Sequence, residues 1–136
     1  MKKIIITGGL GYIGTELCKI YSGYSWNDKI VVIDNRFISE RVNQLRNWNI
    51  DFIQGDILDK KLVLDVCKDA DIVHHLAGIT DVPRTQTESS SEKDIKIKEV
   101  AEEGTQNILD SIPDKCKIIF PSTHVVFEGI SDIKKN

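Results

Sequence analysis

The residues best suited to chemistry stand near the start of the chain, in Ile4-Ile5-Ile6-Thr7-Gly8-Gly9-Leu10-Gly11-Tyr12-Ile13-Gly14-Thr15. Glycines at this spacing let the backbone take φ > 0 and let an anion approach without a Cβ in the way. The N–H groups and dipole of a helix starting here would then hold a pyrophosphate. Two registers fit, Gly9-x-Gly11-x-x-Gly14 and the wider Gly8-x-x-Gly11-x-x-Gly14. A nucleotide-triphosphatase loop fits worse, because the Lys it needs after its last glycine is Thr15. A glycine-rich turn without a ligand is the plain alternative.

A second group supports the first. Ile30-Val31-Val32-Ile33 ends in Asp34, twenty positions beyond Gly14. A carboxylate at that distance reaches the 2′- and 3′-hydroxyls of an adenosine ribose. A charged hydrogen bond of this kind contributes about 1.5–3 kcal/mol. The same charge opposes a 2′-phosphate, which favours NAD over NADP, although the guanidinium of nearby Arg36 could accommodate that phosphate. Asp34 could instead be an ordinary strand-end residue.

These residues need a scaffold that brings strand ends together. Apolar, β-branched runs predict strands at Lys3–Thr7, Ile30–Ile33, Asp51–Gln54, Ile72–His75 and Cys116–Pro121. Their dense Ile and Val content suits strands buried on both faces of a parallel sheet. Helical periods between them predict helices at Gly11–Ser22, Glu40–Arg46, Lys60–Cys67 and Glu92–Ser111. The last carries Ile97, Val100/Ala101, Gly104, Ile108 and Ile112 on one stripe, with a capping signal at Ser91 and a stop at Pro113. Thr80–Ser90 is polar and aperiodic, and is expected to be a loop over the site. The alternation predicts an α/β, doubly wound parallel sheet in the order 3-2-1-4-5, with its crevice between the first and fourth strands.

Composition is compatible with that scaffold and narrows its partners. A chain of 136 residues is one domain in size, and 40% hydrophobic with 29% charged residues is ordinary for a globular core. The net charge of -3, without a basic block, gives no footprint for nucleic acid or an anionic membrane. No apolar run approaches a membrane span, and the amino terminus has no long apolar stretch of a signal peptide. Cys18, Cys67 and Cys116 are odd in number and widely spaced, and are expected to be small buried hydrophobes in a reduced, cytoplasmic protein. His74 and His75 would face opposite sides of a strand, so they cannot share a metal.

The motifs together resemble the extended short-chain dehydrogenase/reductase family, specifically its NAD-dependent nucleotide-sugar epimerases and dehydratases. The resemblance runs from Lys2 to about Gly129 and matches the amino-terminal part of those longer proteins. Thr7–Gly14 is similar to the family's TGGxGxIG turn, so Gly8, Gly11, Tyr12, Ile13 and Gly14 are implied at the pyrophosphate. Asp34-Asn35 resembles its DN pair at the adenosine ribose, with Arg36 beside it. Gly55-Asp56-Ile57 resembles its GD(I/L) signature, implying that Asp56 and the Ile57 N–H hold the adenine edge. His75-Leu76-Ala77-Gly78 resembles its HLA(A/G) segment, which implies Leu76, Ala77 and Gly78 beside the cofactor. Gly104-Thr105-Gln106-Asn107-Ile108-Leu109 is similar to its central-helix GTxNLL stretch. Pro121–Gly129 is similar to SSxxVYG or STDxVFDG, which implies Thr123 as the hydroxyl on the sugar C4 oxygen and in the proton relay. His124 reads as a loop histidine.

Two departures stand out. Ala101 occupies a position where many relatives carry Asn, and no Tyr-x-x-x-Lys follows. The tyrosines are Tyr12, Tyr21 and Tyr24, and the residues four positions on are Glu16, Ser25 and Asp28. One helical turn in that motif puts the ammonium beside the phenol and lowers its pKa, which makes the base. The resemblance therefore implies residues 1–136 as one NAD-binding domain, incomplete relative to the family and truncated before its catalytic helix. The chain is expected to be inactive alone, with a nucleotide sugar as substrate only when the remainder is supplied. A homodimer stays open, as does a stand-alone NAD-binding or sensing module. A phosphoacceptor domain using Asp56 is disfavoured, because Gly8-Gly9 stand where its acidic pair belongs.

Overall fold

The computed structural model describes residues 1–24, 27–79 and 91–121. Five strands form: β1 (Lys3–Thr7), β2 (Lys29–Asp34), β3 (Asp51–Gln54), β4 (Ile72–His75) and β5 (Lys117–Ile119). They make one sheet in the order β3-β2-β1-β4-β5, and every pairing is parallel. The helices are α1 (Tyr12–Tyr24), α2 (Ser39–Asn47), α3 (Lys60–Cys67), α4 (Ser91–Glu99) and α5 (Thr105–Ser111). A π-helical turn at Val100–Gly104 joins α4 to α5. This is the doubly wound, Rossmann-like sheet expected from the pattern of the sequence.

The apolar runs of β1 and β2 are buried because each face of the sheet carries its own core. Ile5, Val31, Ile33 and Val73 pack with Val63, Val66 and Cys67 of α3 and Ile108 of α5. Ile4, Ile6, Ile30 and Val32 pack on the other face with Cys18 of α1 and with Val42 and Leu45 of α2. Burying such a side chain contributes about 1.5–3 kcal/mol, so strands with apolar residues on both faces settle in the middle.

The outer strands depart from that pattern. β3 and β5 keep exposed positions, since each has a single neighbour and less helix cover. β5 is also shorter than the expected Cys116–Pro121. Cys116 belongs to the preceding turn, its N–H donating to Pro113 O at 2.9 Å. Register with β4 ends at His74↔Ile119, and Pro121 has no N–H to extend the ladder. The expected helix over Glu92–Ser111 is not uniform either. The π turn adds a residue, which leaves Ala101 exposed instead of on the buried stripe, while Gly104 is buried. Gly104 lies against the Ile57 side chain so closely that a Cβ there would clash with Ile57 Cδ1.

The cysteines are free. Burial pushes the Cys18 thiol up to about 12 and the Cys67 thiol up to about 11, so both stay protonated and act as apolar groups. Cys116 is only half-buried, less than expected. Among the described residues no helix is long and apolar enough to cross a membrane. The expected loop at Thr80–Ser90, together with Thr123 and His124, lies outside the described residues.

Candidate functional site

The carboxyl ends of β1, β2, β3 and β4 open onto a cleft of about 650 Å³. Its position follows from the strand order. β1 leads to α1 on one face and β4 continues toward the other, so the connecting segments diverge and leave a crevice.

The turn after β1 forms one wall. Gly8 has φ of 66°, and its N–H donates to Ile33 O at 2.8 Å. A Cβ on Gly8 would lie 2.8 Å from Ala77 N and 2.9 Å from Leu76 C. Gly11 N–H donates back to Gly8 O at 3.1 Å, and Thr15 N–H then donates to Gly11 O at 2.9 Å to start α1. Tyr12, Ile13 and Gly14 belong to this first turn, whose N–H groups have no preceding helical carbonyl. A Cβ on Gly14 would approach Gly9 Cα at 2.6 Å and Gly8 O at 2.8 Å. Gly14 therefore keeps the turn tight from beneath, while Gly8, Gly11 and Tyr12 line the cleft. Ile13 points away from it and is exposed.

Asp34 ends β2 with its carboxylate buried. Oδ2 accepts from Leu10 N at 3.1 Å, and Oδ1 accepts from Arg36 N at 3.0 Å. The Arg36 side chain folds back, donating from Nε to Oδ1 at 3.2 Å and from Nη2 to Oδ2 at 3.3 Å. Asn35 and Arg36 line the same cleft. Arg41, from α2, was not legible as a site residue in the sequence. Its guanidinium donates to Leu10 O and lies 5.4 Å from the centre of the Tyr12 ring. It is a cation at the helix start, brought there by the packing of α2.

Asp56 follows β3 at the far end of the cleft. Its Oδ1 accepts from Leu58 N at 3.0 Å and its carbonyl from Asp59 N at 3.0 Å, so the segment is a tight turn. Ile57 O accepts from the buried Asn107 Nδ2 at 2.9 Å, which fixes that turn from the central helix. The Asn of the GTxNLL-like stretch thus supports the turn at Ile57 without reaching the cleft.

Leu76, Ala77 and Gly78 form the opposite wall. Thr7 Oγ1 accepts from Leu76 N and from Ala77 N, each at 3.1 Å. His75, buried beside them, contacts Thr7 Oγ1 through Nδ1 at 2.8 Å and Thr105 Oγ1 through Nε2 at 3.0 Å. His74 faces the other side of β4, where the Tyr21 hydroxyl contacts its Nε2 at 2.6 Å. Burial holds both imidazoles below their ordinary pKa, and burial with the nearby Asp28 charge raises that of Tyr21. Both members of the Tyr21–His74 pair are therefore neutral at pH 7 and share one hydrogen bond. The two histidines serve different faces, as strand alternation requires. Among the described residues no His, Cys, Asp or Glu group could hold a metal ion.

A stability prediction follows from the two buried histidines. With pKa lowered in the fold, the unfolded chain binds protons that the native state refuses. Their stabilisation is present above pH 6.5 and is lost as pH falls below it, by at most about 1.4 kcal/mol per pH unit per histidine. Urea unfolding at pH 5.0 is expected to show a lower midpoint than at pH 7.5, and His74→Gln is expected to flatten the dependence. A midpoint that stays constant across this range would mean that the histidines titrate alike in the folded and unfolded chain.

The structure thus gathers Gly8, Gly11, Tyr12, Asp34, Asn35, Arg36, Asp56, Ile57, Leu76, Ala77 and Gly78 around one cleft. Thr123 lies outside the described residues. Arg41 and Lys96 also line the cleft, from α2 and α4. Basic residues on helices carry no distinguishing sequence signal, since most sit on solvated faces.

Residues 5–134 match the 3-beta hydroxysteroid dehydrogenase/isomerase family. The chain is 33% identical over 130 residues to the UDP-N-acetyl-alpha-D-glucosaminuronate decarboxylase of Bacillus cytotoxicus, covering 93% of itself and 38% of the relative. It is 33% identical over 135 residues to the dTDP-D-glucose 4,6-dehydratase of Dictyostelium discoideum, covering 93% of itself and 30% of the relative. The crystal structure of UDP-glucose 4-epimerase from Brucella ovis, in complex with NAD, superposes with a TM-score of 0.74 at 25% identity. That match covers 94% of this chain and 38% of the epimerase. The chain therefore spans less than two fifths of the length of these three proteins. The resemblance read from the motifs holds: the chain belongs to the 3-beta hydroxysteroid dehydrogenase/isomerase family, alongside epimerases, dehydratases and decarboxylases of nucleotide sugars.

Proposed function

We propose that residues 1–136 are an NAD-binding domain and that the cleft holds the dinucleotide for a reaction on a nucleotide sugar. One observation carries this reading: the Gly8–Gly14 turn, Asp34 and Asp56, from three different strand ends, converge on one cleft at the crevice of the sheet. The donor set fits the group. Gly11 lines the cleft, and a Cβ there would lie 3.3 Å from Gly8 O and 3.9 Å from Arg36 Nη2. The first-turn N–H groups of α1 supply pyrophosphate donors. Asp34 takes the adenosine ribose hydroxyls, for which the Arg36 guanidinium gives up its place while the two backbone donors remain. Asp56 and the Ile57 N–H take the adenine edge, and Leu76, Ala77 and Gly78 line the cofactor beside the pyrophosphate and ribose.

Bound NAD supplies a hydride acceptor, which permits transient oxidation of a sugar. The relatives named above act on UDP- and dTDP-linked sugars by name, which supports a nucleotide sugar as substrate. Thr123 is assigned to the sugar C4 oxygen by its motif. The protonated thiols suit a reduced, cytoplasmic setting.

Titrating NAD and NADP against the wild type and Asp34→Ala tests the reading. NAD is expected to bind more than about tenfold tighter than NADP in the wild type, and Asp34→Ala to abolish the difference. Equal wild-type affinities would mean that Arg36 overrides the carboxylate. No binding of either nucleotide would sink the proposal.

A further inference from the structure

We infer that His75 is a positioning residue of the cleft: an imidazole held as the Nε2–H tautomer that locks the Leu76–Gly78 wall to β1 and to the central helix. The assignment comes from counting donors. Thr7 Oγ1 has two lone pairs and one hydrogen. Its lone pairs are taken by Leu76 N–H and Ala77 N–H, each at 3.1 Å. Leu76 N–H is shared with Thr7 O at 3.2 Å, whereas Ala77 N–H is given to the hydroxyl. The hydroxyl hydrogen therefore goes to His75 Nδ1 at 2.8 Å, which must be bare. A neutral ring with a bare Nδ1 carries its hydrogen on Nε2, and Thr105 Oγ1 receives it at 3.0 Å. Thr105 opens α5 directly after the π turn, so the ring joins β1, β4 and the central helix.

This arrangement works in one protonation state. Among the described residues the groups facing the ring are the Thr7 and Thr105 hydroxyls and, at 5.6 Å between ring centres, Phe120. None of these is a carboxylate that would pair with an imidazolium, and burial disfavours the charged ring. A second proton would turn Nδ1 into a donor toward Thr7 Oγ1, whose lone pairs are already in use. The hydroxyl would then have to release Ala77 N–H or Leu76 N–H, and the wall would loosen where the turn packs so closely that a Cβ on Gly8 would lie 2.8 Å from Ala77 N. The consequence for ligand affinity rests on the proposed nucleotide reading; the tautomer does not.

The experiment has one arm for each. The 15N imidazole spectrum of the 136-residue chain without nucleotide, at pH 7.5, is expected to show a bare Nδ1 and a protonated Nε2 for the ring that vanishes in His75→Asn. The opposite tautomer, or a charged ring, overturns the inference. NAD is then titrated between pH 5 and 8. Wild-type affinity is expected to fall toward the acid end of this range, since burial lowers the His75 pKa in the fold, approaching a loss of about tenfold at the acid limit. His75→Asn keeps an acceptor near Thr7 but cannot titrate; it is expected to bind within about threefold of the wild type at pH 8 and to lose the pH dependence. His75→Asn with the wild-type pH profile would overturn the positioning role. NAD binding with the wrong tautomer sinks that role alone. The right tautomer with no NAD binding at any pH sinks the nucleotide reading and leaves the tautomer standing.

Discussion

Gly8→Ala is expected to reduce NAD affinity at least about a hundredfold and to destabilise the chain by about 2–4 kcal/mol. Two costs add at this position. The residue has φ of 66°, which a Cβ disfavours by about 1–2 kcal/mol. The methyl would also sit 2.8–2.9 Å from Ala77 N, Ala77 Cα and Leu76 C, and these are backbone atoms that cannot rotate away. Relief would require the turn to separate from the Leu76–Gly78 wall, which widens the cleft and breaks the Gly8 N–H bond to Ile33 O. Gly23→Ala is the natural control. Nothing lies within 4 Å of its added Cβ, so it should leave affinity unchanged and raise stability by up to about 1 kcal/mol. Urea unfolding and NAD titration of both variants check this. A Gly8→Ala protein that binds like the wild type would show that the turn does not contact the nucleotide.

The 136-residue chain is expected to bind NAD and yet to convert UDP-, GDP- and dTDP-sugars at no measurable rate. The family's base is a tyrosine whose phenol pKa is lowered by a lysine one turn away, and loss of a general base costs about a hundred- to ten-thousandfold. None of the three tyrosines present is placed as such a base. Tyr12 is exposed beneath Arg41, and Tyr24 is exposed on α1. Tyr21 is hydrogen-bonded to His74 Nε2, and burial with the Asp28 charge raises its pKa, the wrong direction for a base. Thr123 alone would be a poor base, since an aliphatic hydroxyl stays protonated at neutral pH. Product sugars and absorbance of reduced cofactor, followed with the intact mass of the protein verified, provide the assay. Steady turnover would mean that another residue carries the proton.

Much of the site was legible because its signals are local. Gly8 through Gly14 lie within one turn, Asp34 ends the apolar run Ile30–Ile33, and Asp56 follows the short strand Asp51–Gln54. The expected strands Lys3–Thr7, Asp51–Gln54 and Ile72–His75 coincide with β1, β3 and β4 for the same reason. The supporting groups were less legible. Arg41 reaches Leu10 O from 31 positions away, and Asn107 reaches Ile57 O from 50. Neither residue type is distinctive on a helix, and neither partner is a side chain. The π turn was hidden as well, because Val100, Ala101 and Gly104 fit an ordinary helical stripe until Gly104 must seat against Ile57.

By itself the sequence determined the parallel sheet, its strand order and the glycine turn with its carboxylate partners, because alternation of β-branched runs with helical periods admits few topologies. Only the tertiary structure decided what each polar group does within that frame. It folded Arg36 onto Asp34, set Asn107 beneath the Asp56 turn and enclosed His75 between two threonine hydroxyls. The physical reason is that burial forces every polar atom to find a partner, and which partner lies within 3 Å depends on packing between elements distant in the chain.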